Sequence, residues 1–407
     1  MVDRIKMSTP LVELDGDEMT RVIWRWIKEI LIEPYVELKT EYYDLGLPER
    51  EQTADEVTRD AAFAIRRFGV GVKCATITPN TERMEEYGLT ALYPSPNATI
   101  RAMLDGTVFR TPISCAGITP YIPTWTKPIT IARHAFADIY KSVELKIDGE
   151  LEGAQVELLV STPKDPSQHL LIKDFNEYGG QTGIVQGIFN TDESIESFAR
   201  TCMDYALDIN QDLWFGAKDT ISKVYDRRFR DIFQEVFKAD YEQRFSQAGI
   251  NYFYALIDDI VSRVIRSEGG FIWACRNYDG DVMSDMVATA FGSLAMMTSV
   301  LVSPKGFYEY EAAHGTVQQH YYRHQKGEET STNSVATIFA WSGALRKRAE
   351  LDGLADLAAF ANRLEAATLA TIEAGAMTGD LYELSKLENK HKVETKVFIE
   401  EIATRLD

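Results

Sequence analysis

Apolar residues early in the chain recur alternately at the spacing of helices and of strands. The stretch 19–34 predicts a buried helix that a proline ends, and 35–46 predicts a strand. A second helix is predicted over 53–69, where a glycine ends it, and a buried strand over 70–78. This alternation predicts an α/β fold with a mainly parallel sheet. The apolar positions of the first helix are Val22, Ile23, Trp26, Ile27, Ile30 and Leu31.

The pattern changes in the middle of the chain. Between about 138 and 191, short β-forming runs are separated by turn residues, which predicts an antiparallel insertion. The fragment GVGVKC (69–74) begins like a dinucleotide-binding fingerprint, but it lacks the third glycine and no helix pattern follows it. A true Rossmann fold is therefore disfavoured. Long helices are predicted after the insertion, over 194–209, 219–238, 256–267 and from 331 onward.

The composition is that of a compact globular protein. The 407 residues are 45% hydrophobic and 26% charged, and this length favours two or three domains. The formal net charge of −19 disfavours nucleic acid and anionic membranes as partners, because the field of the whole protein repels both. Against this background, VQQHYYRH (317–324) concentrates two histidines and an arginine. We therefore expect a small, highly anionic ligand there.

Cysteine usage indicates a reducing compartment. The spacing of the cysteines is typical neither of a zinc site nor of a disulfide framework. The N-terminal segment turns acidic before an apolar stretch of signal-peptide length, and no later segment has the ~20 apolar residues of a membrane helix. We therefore predict a cytosolic protein. The four cysteines are Cys74, Cys115, Cys202 and Cys275.

Three arginines are candidates for binding a polycarboxylate. Arg101, Arg110 and Arg133 are each predicted near the end of a strand or turn. A guanidinium binds one carboxylate through two parallel hydrogen bonds, so three of them suit a ligand with several carboxylates. The alternative is that they are ordinary surface arginines.

Two pairs of aspartates could hold a divalent cation. Asp258 and Asp259 are adjacent within an apolar run, while Asp281 and Asp285 are four apart, which places them on one helix face. Neighbouring carboxylates in a dry site need a cation, and hard oxygen ligands suit Mg²⁺ or Mn²⁺. The alternative for either pair is a solvated helix face.

Tyr140 and Lys218 are candidates for proton transfer, because nearby cations lower the pKa of either group. The alternative is that each is a packing or surface residue. His134, beside Arg133, is interpreted as a structural histidine. The sequence contains no nucleophile elbow, HExxH, Walker A or kinase motif, which disfavours the commonest competing chemistries.

A family resemblance connects these segments. LDGDEMTR, GVKCATITPN, SPNATIR, KPITIARHA, FIWACRNYDGDVMSD and EAAHGTV stand in the order that they have in isocitrate dehydrogenases of the homodimeric, eukaryotic-cytosolic type, which also occur in bacteria. The chain resembles this family over nearly its whole length. The resemblance implies a dimer with shared active sites. Its implied domains are a large α/β domain (1–104 and 292–407), a small α/β domain (105–137 and 192–291) and an antiparallel β clasp (138–191).

The reaction that the resemblance implies is oxidation of isocitrate to 2-oxoglutarate and CO₂, with reduction of NADP and a requirement for Mg²⁺ or Mn²⁺. Lys218 of the partner subunit would assist loss of the hydroxyl proton, and Tyr140 would protonate the enolate. The matching substrate-binding positions are Thr78, Ser95, Asn97, Arg101, Arg110 and Arg133. The matching metal positions are Asp281, Asp285 and Asp258, the last from the other subunit. The matching cofactor positions are Lys73, Thr76, Arg83, Arg263, Arg266, His314, Gly315, Thr316, Val317, His320 and Asn333.

Four positions depart from the family's pattern. Ala98 and Ala137 stand where the family has glycine, and Phe136 stands where it has tyrosine, all close to the expected substrate. We expect these changes to alter substrate affinity and not the type of reaction. Gln319 replaces an arginine that the family uses, with a histidine, to bind the 2′-phosphate of NADP. NADP is therefore favoured, with NAD as the alternative cofactor.

Two rival functions stay open. A relative that acts on isopropylmalate, homoisocitrate or tartrate is disfavoured, because Ser95 and Asn97 match contacts to the third carboxylate of isocitrate. A catalytically silent regulatory subunit is disfavoured by the presence of Tyr140 and Lys218. Arg263 also has a simple alternative, as the partner of an aspartate one turn earlier on its helix.

Overall fold

A computed structural model describes residues 4–162, 168–177 and 179–406. The chain divides into two compact units, one formed by residues 4–136 and 192–406 and the other by residues 137–191. The helices are α1 (Glu18–Ile27), α2 (Leu47–Gln52), α3 (Glu56–Phe68), α4 (Thr81–Tyr87), α5 (Pro96–Leu104), α6 (Asp192–Ile209), α7 (Tyr225–Val236), α8 (Glu242–Ala248), α9 (Ile257–Arg266), α10 (Asn277–Phe291), α11 (Gln318–Gln325), α12 (Val335–Asp352), α13 (Ala355–Glu373), α14 (Gly379–Leu384) and α15 (Thr395–Ala403). The strands are β1 (Ile5–Lys6), β2 (Leu11–Asp15), β3 (Val36–Glu37), β4 (Thr40–Asp44), β5 (Val70–Lys73), β6 (Thr107–Pro112), β7 (Ile129–His134), β8 (Val143–Ile147), β9 (Gln155–Val160), β10 (Gln168–Asp174), β11 (Gly183–Gly187), β12 (Asp212–Ala217), β13 (Tyr252–Leu256), β14 (Phe271–Cys275), β15 (Met297–Val302), β16 (Tyr308–Ala312), β17 (Ala376–Met377) and β18 (His391–Lys392).

The larger unit is built on a ten-stranded sheet in the order β13-β12-β14-β7-β6-β15-β16-β5-β2-β4. Six of the nine neighbouring pairs are parallel, so the predicted α/β fold with a mainly parallel sheet is confirmed. The three antiparallel pairs, β7 with β6, β6 with β15 and β15 with β16, lie in the middle of the sheet. Strands β6 and β7 therefore occupy its centre.

The first helix forms as predicted, but the side chains that it buries are not all those that the spacing predicted. Helix α1 continues as a π-helical turn over Lys28–Ile32 and ends before Pro34. Trp24 is buried and Trp26 only half-buried, although the spacing predicted Trp26 for the core. Trp24 packs against Trp341 and donates to the buried carboxylate of Glu13 at 2.9 Å, so a tertiary contact decides which indole is buried.

Three predicted boundaries are wrong for local reasons. The strand predicted over 35–46 is two strands, because β3 pairs with β1 whereas β4 joins the large sheet. The buried strand predicted over 70–78 ends at Lys73, after which the chain is irregular until α4. The helix predicted from 219 begins at Tyr225, since the preceding residues fold into turns around the Lys218 carbonyl. Helix α3 ends at Gly69, as predicted.

The smaller unit, residues 137–191, contains the predicted antiparallel strands. Strand β8 pairs with β11, and β9 pairs with β10, both in antiparallel register. Strand β11 was not predicted, because glycine and turn residues surround it in the sequence. The strands expose a run of large apolar side chains, among them Val143, Leu145, Leu158, Leu159, Leu170, Leu171 and Ile184.

The four cysteines are buried thiols that form no disulfide. In the part of the chain that the structure describes, no helix combines the length and apolar character needed to cross a bilayer.

Candidate active site

Three buried arginines come from different elements of the larger unit. Arg101 lies on α5, Arg110 in the middle of β6 and Arg133 near the end of β7, with exposures of 8%, 7% and 4%. The surface-arginine alternative is therefore wrong. The predicted position near a strand or turn end holds for Arg133 only. Arg101 is the sixth residue of α5, which begins at Pro96, and Arg110 lies mid-strand because β6 extends to Pro112.

Two of these arginines contact the predicted metal aspartates. Arg133 donates through Nε to Asn277 Oδ1 at 2.9 Å and also pairs with Asp281. Arg110 Nη1 lies 3.7 Å from carboxylate oxygens of both Asp281 and Asp285 and donates to Ser284 Oγ at 2.8 Å. Helix α10 thus presents its acidic face to β6 and β7. The predicted helix-face arrangement of Asp281 and Asp285 is confirmed.

The sequence prediction missed two buried glutamates of β16. Glu311 accepts from Arg101 Nη2 at 2.6 Å, and its other oxygen lies 3.8 Å from Lys73 Nζ. Burial would raise the pKa of Glu311, but the charges of Arg101 and Lys73 outweigh it and lower the pKa. Burial, together with the charge of Glu311, raises the pKa of Glu309. The alternation in YEYEA, with glutamates on one face, was the available signal.

Several buried polar atoms around the arginines have no hydrogen-bond partner within the described residues. They are the Nε atoms of Arg101 and Arg110 and the Oδ1 atom of Asn97. A buried unsatisfied donor costs free energy, so native sites with several of them are arranged for a ligand. Ser95 lies half-buried before α5, and Thr78 lies exposed in the loop before α4. The guanidinium N–H groups and the hydroxyls of Ser95 and Thr78 are donors that suit a carboxylate-bearing ligand, whereas Asn97 Oδ1 is an acceptor.

The donor set of Asp281 and Asp285 fits part of a hard-cation site. Burial raises the pKa of Asp285, Arg110 opposes this, and the negative charge of Asp281 adds to it. A divalent cation would relieve this repulsion, and two carboxylates one helical turn apart match its preference for oxygen. Over residues 4–162, 168–177 and 179–406, no three acidic, histidine or cysteine side chains are grouped to hold a metal ion. One chain therefore supplies only two of the three predicted ligands together.

Asp258, the third predicted ligand, is bonded to Lys218. The ammonium at the end of β12 donates to the carboxylate at the start of α9. This hydrogen bond is the main reason that the pKa of Asp258 is below its usual value. Both side chains are substantially exposed, at 39% for Lys218 and 63% for Asp258. The proton-transfer candidate and the candidate ligand thus share one exposed patch.

Tyr140 lies in the smaller unit, on a 3-10 turn over Asp138–Lys141. Its ring is partly exposed. Just before this turn, Ala137 has φ 47° and ψ −133°, a conformation that favours glycine. The alanine noted in the sequence as a departure from glycine is therefore held in a strained backbone.

Arg83 and Thr316, both half-buried, meet the buried Glu18 at a junction between the candidate cofactor segments. Arg83 and Thr316 both donate to Glu18, and Arg83 Nη1 also donates to Tyr322 Oη at 2.9 Å. Glu18 itself has a positive φ of 56°, unusual for this residue. Sequence reasoning missed Glu18, because only the fold brings α1 beside the loop before α11. Val317, whose φ is also 56°, precedes α11.

The remaining candidate cofactor residues fall into separate places. His320 bonds Thr332 Oγ1 at 2.6 Å, and burial, aided by Arg323, lowers its pKa. Asn333 donates to Asp380 at 2.9 Å. Half-buried Thr76 lies in the loop after β5, and His314 and Gly315 lie between β16 and α11.

Arg263 and Arg266 are engaged locally on α9. Arg263 bonds Asp259 at 2.8 Å, which is the alternative pairing, and Arg266 bonds Ser262. Arg323 bonds Glu328 at 2.9 Å, and the ring of His324 packs edge-on against Trp26. Each basic residue of VQQHYYRH thus has its own partner within the chain.

The sequence of this chain is similar to those of known proteins. The family model described as isocitrate/isopropylmalate dehydrogenase matches residues 6–402. A mitochondrial NADP isocitrate dehydrogenase of Sus scrofa is 50% identical over 99% of this chain and 96% of its own length. The Homo sapiens mitochondrial protein of the same name is 51% identical over 99% and 89%. A chloroplastic relative of Medicago sativa is 49% identical over 99% and 93%. These organellar names contradict the predicted cytosolic location, which is wrong: cysteine spacing and a short N-terminal segment do not determine the compartment.

Proposed function

Because the chain belongs to the isocitrate/isopropylmalate dehydrogenase family, we propose that it oxidises isocitrate to 2-oxoglutarate and CO₂ with reduction of NADP. Relatives with this name are about half identical over nearly the whole chain. The observation that carries the assignment is the group of three buried arginines beside two aspartates. A tricarboxylate satisfies such a group better than a neutral substrate does.

The arginines would bind and orient the substrate. Arg101 and Arg110 each keep a buried Nε atom without a partner in the described chain, and a substrate carboxylate would satisfy both. Ser95 and Asn97 would bind the third carboxylate, which isopropylmalate lacks. This arrangement favours isocitrate over the other acids of the family.

Asp281 and Asp285 would hold Mg²⁺ or Mn²⁺, with Asp258 of the partner subunit as the third ligand. A divalent ion bound there supplies Lewis acidity to the substrate's hydroxyl and carboxylate oxygens. The repulsion between Asp281 and Asp285 supports the presence of a cation at this place. Arg133, which pairs with Asp281, would keep that carboxylate aimed at the site.

Lys218 of the partner subunit would accept the hydroxyl proton, directly or through water, before hydride leaves for the nicotinamide. Tyr140 would donate a proton to the enolate carbon after CO₂ is lost. We propose a homodimer for this reason, because Lys218 and Asp258 form an exposed pair on each chain. The apolar strands of residues 137–191 support the same proposal, since a second copy of the chain would cover them.

We also propose the division into a large domain (1–104 and 292–407), a small domain (105–137 and 192–291) and a clasp (138–191). The central strands β6 and β7 would then belong to the small domain, while β5 and β16 belong to the large one. Residues of both domains that bind the substrate would line one cleft, and this cleft would close when the substrate binds.

A substrate panel tests the function. The purified protein is given isocitrate, isopropylmalate, homoisocitrate or tartrate, with NADP and Mg²⁺, and NADPH is followed by absorbance. We expect isocitrate to be strongly preferred and an Asn97→Ala variant to lose part of that preference. Faster turnover of isopropylmalate than of isocitrate would overturn the proposal.

A further inference from the structure

A cleft of about 1030 Å³ opens beside α11. His320 and Arg323 line one side of it, and Gly379 and Lys392 line another. Gln319, which stands where the family has its phosphate-binding arginine, is exposed and does not line the cleft. His320, the other member of the expected phosphate-binding pair, does line the cleft, so the cleft adjoins the place expected for the 2′-phosphate.

The basic side chains that line the cleft differ in whether another residue of the chain already binds them. Arg323 is paired with Glu328 at 2.9 Å. His320 has a lowered pKa, mainly through burial, and is bonded to Thr332. Lys392 is exposed and makes no ion pair within the part of the chain that the structure describes. Its ammonium is thus available to an anion entering the cleft.

Gly379 leaves the space that the Lys392 side chain occupies. A Cβ atom added at position 379 would lie 3.0 Å from Lys392 Cε and 3.2 Å from Nζ. Such contacts are tighter than ordinary van der Waals distance, so the Lys392 ammonium lies directly against the Cα atom of Gly379 and would move by a few tenths of an ångström to admit a Cβ atom. The backbone N–H of Gly379 donates to Ser331 Oγ at 2.9 Å, which fixes the glycine against the cleft wall.

We infer that Lys392 is the residue that gives this chain its preference for the 2′-phosphorylated dinucleotide, in place of the arginine absent at position 319. The inference deepens the proposed function and rests on it. An ammonium carries a full charge to the phosphate and can donate up to three hydrogen bonds, whereas NAD has a neutral hydroxyl at the 2′ position.

The carboxylates around the cleft make this preference depend strongly on one lysine. Glu329 and Glu394 are hydrogen-bonded to each other, and this bond raises the pKa of Glu394. Asp380 also lines the cleft, but three donors hold it, from Ser293, Asn333 and Thr378. A dianionic phosphate meets repulsion from these groups. Without Lys392, the remaining charge of the cleft favours a ribose hydroxyl over a phosphate.

The test is direct binding, independent of turnover. Dissociation constants for NADP⁺ and NAD⁺ are measured by isothermal titration calorimetry on the full-length wild-type protein, Lys392→Met and Lys396→Met. Lys396 is the matched control, because it lies four residues on, is exposed and does not line the cleft; it forms an ion pair with Glu400 at 3.8 Å. We expect Lys392→Met to weaken NADP⁺ binding about tenfold or more while NAD⁺ binding changes less than about twofold. Lys396→Met should change neither.

Two further variants keep the result interpretable. Lys392→Arg should retain the NADP⁺ preference, and Gly379→Ala, which moves the ammonium by only a few tenths of an ångström, should retain most of it. Equal weakening of both nucleotides by Lys392→Met, or no weakening of either, would overturn the inference. A wild-type protein that binds NADP⁺ no more tightly than NAD⁺ would overturn it as well. Failure of the proposed function would instead appear as absent isocitrate oxidation, whatever the binding constants of the variants.

Discussion

Replacing Glu311 with glutamine tests the buried charge network beneath the arginine site. Glu311 is the counter-charge of two cations whose side chains are almost fully buried, Arg101 at 10% exposure and Lys73 at 1%. Removing one partner of a buried ion pair costs about 3–5 kcal/mol, because the remaining charge is left uncompensated. We expect the lower end here. The charge of Glu311 helps to raise the pKa of Glu309, so Glu309 ionises more readily in the variant and replaces part of the lost charge.

This magnitude corresponds to a measurable shift in melting temperature. With roughly 2.1 cal/mol/K of unfolding entropy per residue, 407 residues give about 0.9 kcal/mol/K. A loss of about 3 kcal/mol therefore lowers the melting temperature by about 3–4 °C, which differential scanning calorimetry at pH 7 resolves. Glu309→Gln is the matched control, because it makes the same chemical change two residues away on the same strand. Its carboxylate keeps an oxygen without a hydrogen-bond partner in the described chain. Equal destabilisation by the two variants would refute the assignment of Glu311 as the counter-charge.

Three other results are expected. Burial raises the folded-state pKa of Glu309 to about 8, so the wild type loses stability as pH rises from the unfolded pKa of 4.5 to this value and loses no more above it. Glu309→Gln should lack this part of the pH dependence in calorimetric scans. Ala137→Gly should relieve the backbone strain of the positive φ and stabilise the protein by about 1 kcal/mol. It should change the KM for isocitrate more than kcat in steady-state kinetics. An unchanged melting temperature would contradict the strain. Inactive Lys218→Met and Tyr140→Phe proteins, mixed and refolded together, should recover about a quarter of wild-type activity if each site uses both subunits. No recovery would exclude shared sites.

The chain's secondary structure was predictable where local patterns decide it. Helix α3 ends at Gly69 because a glycine readily takes the left-handed conformation found there. Asp281 and Asp285 share a helix face because their spacing of four is set by helix geometry. The antiparallel strands of 143–174 follow from alternation and turn residues.

Contacts between distant segments were not predictable in the same way. The burial of Trp24 instead of Trp26 depends on Trp341, more than three hundred residues away. Glu18 contacts Arg83 and Thr316 only because the sheet order brings their segments together. The family resemblance supplied the roles of the arginines and aspartates, while the burial of the arginines and the contact of Arg101 with Glu311 came from the fold. Lys392 carried no sequence signal, since only the fold places it beside Gly379 in the cleft.

The most direct test of the central claim is product analysis with isocitrate. The purified protein is incubated with isocitrate, NADP and Mg²⁺, and NADPH, 2-oxoglutarate and CO₂ are quantified together, with an Arg110→Gln variant as the comparison. We expect the three products in equal amounts from the wild type, and a loss of at least about a hundredfold in kcat/KM for the variant, as for removal of a buried charge-assisted contact. NADPH formed without CO₂, or full activity in the variant, would contradict oxidative decarboxylation at the arginine site.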